Sequence, residues 1–273
     1  MTADDQVDMT RSQVFGEVAE MYDIVRPGYA DALVTEVLAY AALDGQAALE
    51  IGAGTGKATL SFAAHGVPLV CIEPDPRMAE VLRRNTAHCR GVRVQSGRFE
   101  DWRSDGRRFG LLLAATSWHW VDGERRWDLA HDALAPGGTL ALFWNPHGIR
   151  DPEVQTVLAE VDRRHGLVGT PHRAPASAYG ERPGHWAGAP GWPEEECRRD
   201  GRFTDLRAVR FREHRHYATD RYLALLASTS AYRVLSPDRR ERVLAETGRV
   251  LDARGGGIDM DHFSDLLLAR RPA

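Results

Sequence analysis

The chain has 273 residues, of which 43% are hydrophobic and 27% charged, the balance of an ordinary globular protein long enough to bury a sizeable core. Its formal net charge of −4 excludes the globally basic surface that draws proteins to nucleic acid or to anionic membranes. No apolar run approaches the roughly 20 residues needed to cross a bilayer, and the three cysteines, Cys71, Cys89 and Cys197, have neither metal nor redox spacing. The first ten residues, MTADDQVDMT, lack the basic-then-apolar build of a signal peptide, so a reduced, cytoplasmic protein is expected. Lys57 is the sole lysine, which reflects composition and not a site.

Strand and helix patterns alternate along the first half. Residues 30–42 place Leu33, Val34, Val37, Leu38 and Ala41 on one helical face. A short apolar run at 47–51 leads into a glycine cluster, and a helix follows to about Ala64. LVCIE (69–73) reads as a buried strand, and the next helix puts Met78, Val81 and Leu82 together. VRVQ (92–95), FGLLLAA (109–115) and TLALFW (139–144) continue the strands; Asp122 is placed as the cap of a helix that APGG (135–138) closes. Five strands with helices between them predict a parallel sheet covered on both faces.

The second half is less regular. Residues 146–203 are rich in Pro, Gly, Trp and His, with periodicity only at 151–163. From 206, LRAVRFREHRHY alternates as a strand does. A helix is predicted over 219–235, another opening at Ser236 with Pro237 in its first position, and a final strand over 261–271.

LEIGAGTGKATL, Leu49 to Leu60, decides the chemistry. A phosphate loop of the form G-x-x-x-x-G-K-[ST] is excluded, because Ala58 follows Gly56-Lys57 and Ile51 stands where the first glycine belongs. The dinucleotide pattern G-x-G-x-x-G fails at Lys57. What remains is E-x-G-x-G-x-G, from Glu50 to Gly56, followed seventeen residues later by Glu73 at the end of the second strand. A carboxylate there suits two ribose hydroxyls.

This pattern resembles motif I of the class I S-adenosylmethionine (SAM) methyltransferases, and the resemblance extends over nearly the whole chain apart from 146–203. It implies a doubly wound α/β fold with a mostly parallel seven-stranded sheet, an antiparallel final strand and an inserted lid-like segment. It implies one domain over 1–273, with 146–203 covering the acceptor site. The cofactor would be SAM, leaving S-adenosylhomocysteine (SAH) as product. The resemblance assigns cofactor contacts to Glu50, Gly52, Ala53, Gly54, Thr55 and Gly56, and to Glu73 on the ribose. EPDPRMAEVL (73–82) is similar to the family's next segment, with Pro74, Asp75 and Met78 flanking the adenine. In GRFEDW (97–102), Glu100 or Asp101 would accept from the adenine amino group, with Phe99 contributing backbone. LLLAATSWHWVD (111–122) stands in the motif IV position, where Ala115 borders the cofactor and Trp118 and His119 face the acceptor. FGEVAEMYDIVRPGY (15–29) looks like the family's N-terminal cap, bringing Tyr22 and Arg26 to the SAM carboxylate.

The acceptor pocket is assigned to Tyr179, Trp186 and Trp192, and to the helix carrying Tyr222, Ser230 and Tyr232. A sulfonium methyl is already activated, so the transfer mainly needs positioning. A general base is required only where the acceptor keeps a proton, and His119 is the residue placed for that task. HRH at 214–216 reads as the solvated end of a strand, since no carboxylate or thiolate partner is evident, and no metal is expected. His131 reads as surface. The expected activity is methyl transfer to an O, N or carboxylate atom of a small molecule in specialised metabolism, with no nucleic-acid or membrane partner. A non-catalytic SAM- or SAH-binding protein of the same fold is the alternative. A nicotinamide oxidoreductase is disfavoured, because a chain with one lysine at position 57 holds no Tyr-x-x-x-Lys pair. Nucleic-acid methylation is disfavoured by the absence of Asn/Asp-Pro-Pro-aromatic after the fourth strand.

Overall fold

The computed structural model describes residues 19–184 and 192–273, which fall into two compact units. The first comprises residues 27–145, 192–211 and 264–273, the second 19–26, 146–184 and 212–263. Helix α1 (Ala19–Val25) belongs to the second unit. The first unit then alternates through α2 (Asp31–Ala41), β1 (Ala48–Ile51), α3 (Lys57–Ala64), β2 (Leu69–Glu73), α4 (Pro76–Asn85), β3 (Val92–Ser96), β4 (Phe109–Ala115), α5 (Arg126–Ala133) and β5 (Leu134–Trp144). Strand β6 (His147–Ile149) and helix α6 (Pro152–Arg164) belong to the second unit, and α7 (Glu194–Asp200) to the first. Strands β7 (Thr204–Ala218) and β8 (Gly257–Arg270) each contribute residues to both. Between them in sequence, α8 (Thr219–Ala227), α9 (Ser230–Arg233) and α10 (Pro237–Asp252) belong to the second unit.

Strands β3, β2, β1, β4 and β5 lie side by side and pair in parallel. Strand β8 closes the row antiparallel to β5, Arg270–Asp265 against Thr139–Trp144, and β7 pairs with β8. The predicted α/β class, parallel sheet and antiparallel final strand are all present. The sheet has eight strands rather than seven, because three-residue β6 also pairs antiparallel with β8, His147 opposite His262. Every residue of β1 and β2 is buried, as strands covered on both faces must be. Leu33, Val34 and Val37 of α2 and Phe62 of α3 form one core cluster with Leu111, Leu113 and Phe143 of the sheet. Each such buried side chain contributes about 1.5–3 kcal/mol. From β1 the chain builds outward through β2 to β3, then returns to lay β4 on the other side of β1. The β1–β4 boundary is therefore the point where the winding reverses, and its carboxyl end is where ligands bind in open α/β sheets.

Local chemistry explains where expectations and structure part. Asp122 does not cap α5, which starts at Arg126; its carboxylate accepts from the Glu124 N–H and its carbonyl from Arg125 and Arg126, closing a turn ahead of the helix. APGG lies inside β5, with a register break between Phe109 and Leu111 of its partner. The helix predicted over 219–235 is two helices, α8 and α9. At the break, the Ser228 and Thr229 hydroxyls donate to the carbonyls of Leu225 and Leu226, competing with the helical ladder. Pro237 opens α10 as expected, although the Ser236 side chain makes no capping bond. Residues 146–184 hold β6, α6 capped by Asp151, and two 3₁₀ turns at Pro171–Arg173 and Ala176–Tyr179.

In the first unit Arg210 holds Asp265 in a two-pronged pair, Nε to Oδ1 at 2.5 Å and Nη2 to Oδ2 at 2.6 Å, with both side chains almost fully buried. Removing one member of such a pair strands the other charge. Asp265→Ala is expected to cost about 3–5 kcal/mol of stability in urea denaturation. A loss under about 1 kcal/mol would show that the site rehydrates.

Candidate active site

The glycine turn follows β1 directly. Gly52, Gly54 and Gly56 all have positive φ, 62°, 58° and 94°, a region that residues with a Cβ seldom occupy. Their reasons differ. A Cβ on Gly52 would stand 2.6 Å from the Ser117 Cβ, and one on Gly56 would stand 2.6 Å from the Leu82 Cδ1, so the protein's own packing forbids both. A Cβ on Gly54 would meet nothing within 4 Å. Of the three, only Gly54 has no protein atom within 4 Å of its Cβ position.

Two buried carboxyls back this turn. Glu73, the last residue of β2, accepts from the Gly54 N–H at Oε2 (2.7 Å) and from the Asp75 N–H at Oε1 (2.9 Å). Burial pushes it up to about 7 against the lowering effect of those two bonds. Glu50 in β1 accepts from the Thr59 hydroxyl at Oε2 (2.6 Å), where the Cys71 thiol also points at 3.7 Å. Its Oε1 has no partner among the described residues, and burial pushes this carboxyl up to about 7 as well. The Gly52 and Ala53 N–H groups both donate to the Ile72 carbonyl, at 2.8 and 3.2 Å, fixing the turn on β2.

The fourth strand completes the same edge. Thr116, just past Ala115, has φ 57°, a strained conformation for a β-branched residue. Its N–H donates to the Phe143 carbonyl at 2.7 Å and its hydroxyl lies 3.3 Å from that of Tyr29. The Ser117 hydroxyl donates to the Ile51 carbonyl at 2.5 Å. That bond ties the turn bearing Trp118 and His119 to the turn bearing the glycines. The ends of β1, β2 and β4 thus bring an open glycine, two carboxyls of raised affinity for protons and an exposed histidine to one edge of the sheet.

Residues 48–138 match the family described as a methyltransferase domain. Over these residues the chain is similar to methyltransferases. Over 131 residues it is 34% identical to an uncharacterised methyltransferase of Mycobacterium tuberculosis, an alignment covering 48% of this chain and 51% of that one. The chain thus spans about half the length of the curated relatives it matches first. An uncharacterised methyltransferase of Schizosaccharomyces pombe is 25% identical over 255 residues, 91% of this chain and 92% of its own. A solved structure of a candidate type II methyltransferase from Anaeromyxobacter dehalogenans superimposes with a TM-score of 0.61 at 23% identity, covering 90% of this chain and 98% of that one, and shares the fold.

In the first unit, the other predicted residues are placed as follows. Ala53 and Thr55 are buried, the Thr55 hydroxyl without a partner among the described residues. Pro74 is exposed, and Met78 is buried on α4. The Asp75 carboxylate caps α4, accepting from the Arg77 N–H at 2.8 Å and pairing with its guanidinium at 2.8 Å. Burial alone would raise it, and the Arg77 bonds outweigh burial and hold it below the usual carboxylate range. Phe99 is buried in a 3₁₀ turn, while the Glu100 carboxylate accepts from Arg98 at 3.0 Å and from the Asp122 N–H at 2.9 Å. Trp118 faces inward, edge-on to Trp127 at 5.1 Å and beneath Arg126, and its Nε1–H has no partner among the described residues. It is buried in the core. His119 is exposed, its ring 4.6 Å from that of Trp120. Trp192 packs on Trp144 at 5.6 Å. Half-buried His131 lies beside Phe203 at 6.2 Å rather than on the open surface.

The remaining predicted residues belong to the second unit. Arg26 donates to the Ser228 hydroxyl at 3.2 Å and covers the Tyr22 ring. Ser230 is half-buried at the start of α9, and Tyr232 is fully buried, its hydroxyl donating to Asp162 Oδ1 at 3.0 Å. Buried Tyr179 donates to the His147 carbonyl at 2.8 Å. Trp186 lies outside the described residues. His214 and His216 do meet a carboxylate, Asp259, at 3.5 and 2.9 Å, which the sequence concealed. Even so, no group of three metal-binding side chains assembles among the described residues. No helix among them is long and apolar enough to cross a membrane.

The two buried carboxyls imply a pH dependence of stability without ligand. Both titrate near 4.5 in an unfolded chain and near 7 when folded, so between these values the folded state keeps protons that the unfolded chain has released. Their contribution is present in full below pH 4.5 and is lost as pH rises to 7. Unfolding free energy is expected to fall across that window, by about 3 kcal/mol for one carboxyl. Glu50→Gln should flatten the slope in urea titrations at pH 5, 6 and 7. A variant with the wild-type slope would place the titration elsewhere.

Proposed function

We propose that the chain transfers the methyl group of SAM to an O, N or carboxylate atom of a small molecule in specialised metabolism. The observation that carries this reading is the edge where Glu73 grips the Gly54 N–H beside the open space at Gly54. A carboxylate offers about four acceptor positions, and two of those on Glu73 are used by the backbone. Two remain for a pair of ribose hydroxyls. Glu50 Oε1, buried and unpartnered among the described residues, suits a cationic or N–H donor. These residues fit the cofactor that the family implies: Glu73 would hold its ribose, Gly54 would admit it, and Glu50 would face its charged end. SAM supplies a sulfonium-activated methyl group. The chain's own part is to hold the acceptor in line and exclude water, which contributes several kcal/mol, with His119 as the base where the acceptor bears a proton. The acidic net charge supports a small-molecule acceptor over nucleic acid. The same composition supports a cytoplasmic setting.

Calorimetry with SAH tests the cofactor site. Wild-type protein should bind in the micromolar range. Glu73→Ala removes an acceptor of charge-assisted hydrogen bonds, each about 1.5–3 kcal/mol, so affinity should fall about 10- to 100-fold. Unchanged affinity would sink the ribose assignment. A chain that binds SAH tightly yet methylates no acceptor in a broad screen would be the non-catalytic binding protein instead.

A further inference from the structure

A second polar cluster lies buried in the second unit, built on Asp162 in the last turn of α6. Its Oδ1 accepts from Tyr232, and its Oδ2 accepts from the Thr170 hydroxyl at 2.5 Å and from His172 Nδ1 at 2.8 Å. Thr170 caps the 3₁₀ turn that carries His172, and the Gln155 amide donates to the His172 carbonyl at 2.6 Å. Asp162 is therefore satisfied on both oxygens, and His172 is held from two sides. Asp162, Thr170, His172, Tyr222 and Tyr232 are all at least nine-tenths buried.

Two polar atoms of this cluster have no partner among the described residues: His172 Nε2 and the Tyr222 hydroxyl. Their rings lie 5.9 Å apart. An unpaired buried polar atom costs about 1–3 kcal/mol, so leaving two together is unusual for a purely structural core. The chemistry of what would satisfy them is narrow. With Nδ1–H given to Asp162, the imidazole form of His172 presents a lone pair at Nε2. Burial holds the Tyr222 hydroxyl well above its ordinary pKa, so it stays a phenol able to donate. One group must donate to the first and accept from the second. A hydroxyl does both and is then satisfied, whereas a buried water typically seeks about three partners. Tyr222 shares a buried cluster with the apolar side chains Leu158, Val161, Leu225 and Leu226.

We propose that Asp162, His172 and Tyr222 form a recognition site for a hydroxyl group carried on an apolar or aromatic body. Asp162 is the positioning residue, fixing the His172 tautomer, while His172 and Tyr222 touch the ligand.

The test uses the full chain labelled with ¹⁵N-histidine, titrated with phenol, cyclohexanol and benzene while the His172 Nε2 resonance is followed, with SAH calorimetry on the same sample. Phenol or cyclohexanol should shift that resonance saturably, benzene should not, and Tyr222→Phe should weaken the response about tenfold. A resonance unmoved by either alcohol overturns the proposal, whether an internal water or a direct Tyr222–His172 bond fills the gap. An equal response to benzene also overturns it, because the hydroxyl would then play no part. If SAH binds while the alcohols do nothing, this inference fails alone. If SAH does not bind, the methyltransferase reading fails whatever the alcohols do.

Discussion

Gly54→Val is expected to abolish measurable SAH binding while the protein still folds. Gly54 alone in its turn faces open space, so a valine there meets no protein atom at its Cβ and projects into the volume proposed for the cofactor. The fold will not be untouched, because φ is 58° at this position and a β-branched residue there is strained by about 1–3 kcal/mol. Gly54→Ala separates the two effects. It carries a similar backbone penalty with far less bulk, so both variants should lose stability in urea while valine loses more binding than alanine. Gly52→Ala provides the contrast: its Cβ would collide with Ser117, and its loss should appear first in stability. Wild-type SAH affinity in Gly54→Val would show that the turn does not approach the cofactor.

The same turn shows what could be read without coordinates. The alternation of strands and helices, the glycine spacing and Glu73 at the end of β2 are consequences of local pattern, apolar runs with period and punctuation, and they were legible. The separate reasons for the three glycines were not. Gly52 is required by Ser117, sixty-five positions away, and nothing in its neighbourhood announces that contact. Long-range polar pairing was hidden for the same reason. Tyr222 and Tyr232 appear as an aromatic stripe suited to a pocket, yet both are fully buried, and Tyr232 donates to Asp162, seventy residues upstream. Trp118, expected to face the acceptor, is buried edge-on to Trp127 of the next helix, a contact that local pattern does not announce. Ser228 breaks a helix that apolar periodicity alone would continue, and its second partner, Arg26, lies two hundred and two residues earlier. Local pattern conveys elements and their order; it does not convey which polar groups find each other.

His119→Ala should leave SAH affinity nearly unchanged and lower turnover. The residue stands just beyond β4, two positions after Ser117, whose bond to the Ile51 carbonyl holds this turn against the glycine turn. The backbone is thus fixed while the imidazole is exposed, as a group that meets an incoming acceptor must be. On an alcohol or phenol the acceptor oxygen carries a proton that has to leave, and loss of a general base should lower turnover about 10²- to 10⁴-fold. The deficit should shrink at high pH, where a phenol ionises without help. On a carboxylate no proton needs removal, and His119 can only orient the acceptor. The loss should then be small, confined to the acceptor's apparent KM, and indifferent to pH. The pH profile of the variant therefore reports on the acceptor class as well as on His119. Wild-type turnover in the alanine variant would remove His119 from the chemistry and leave positioning as the source of catalysis.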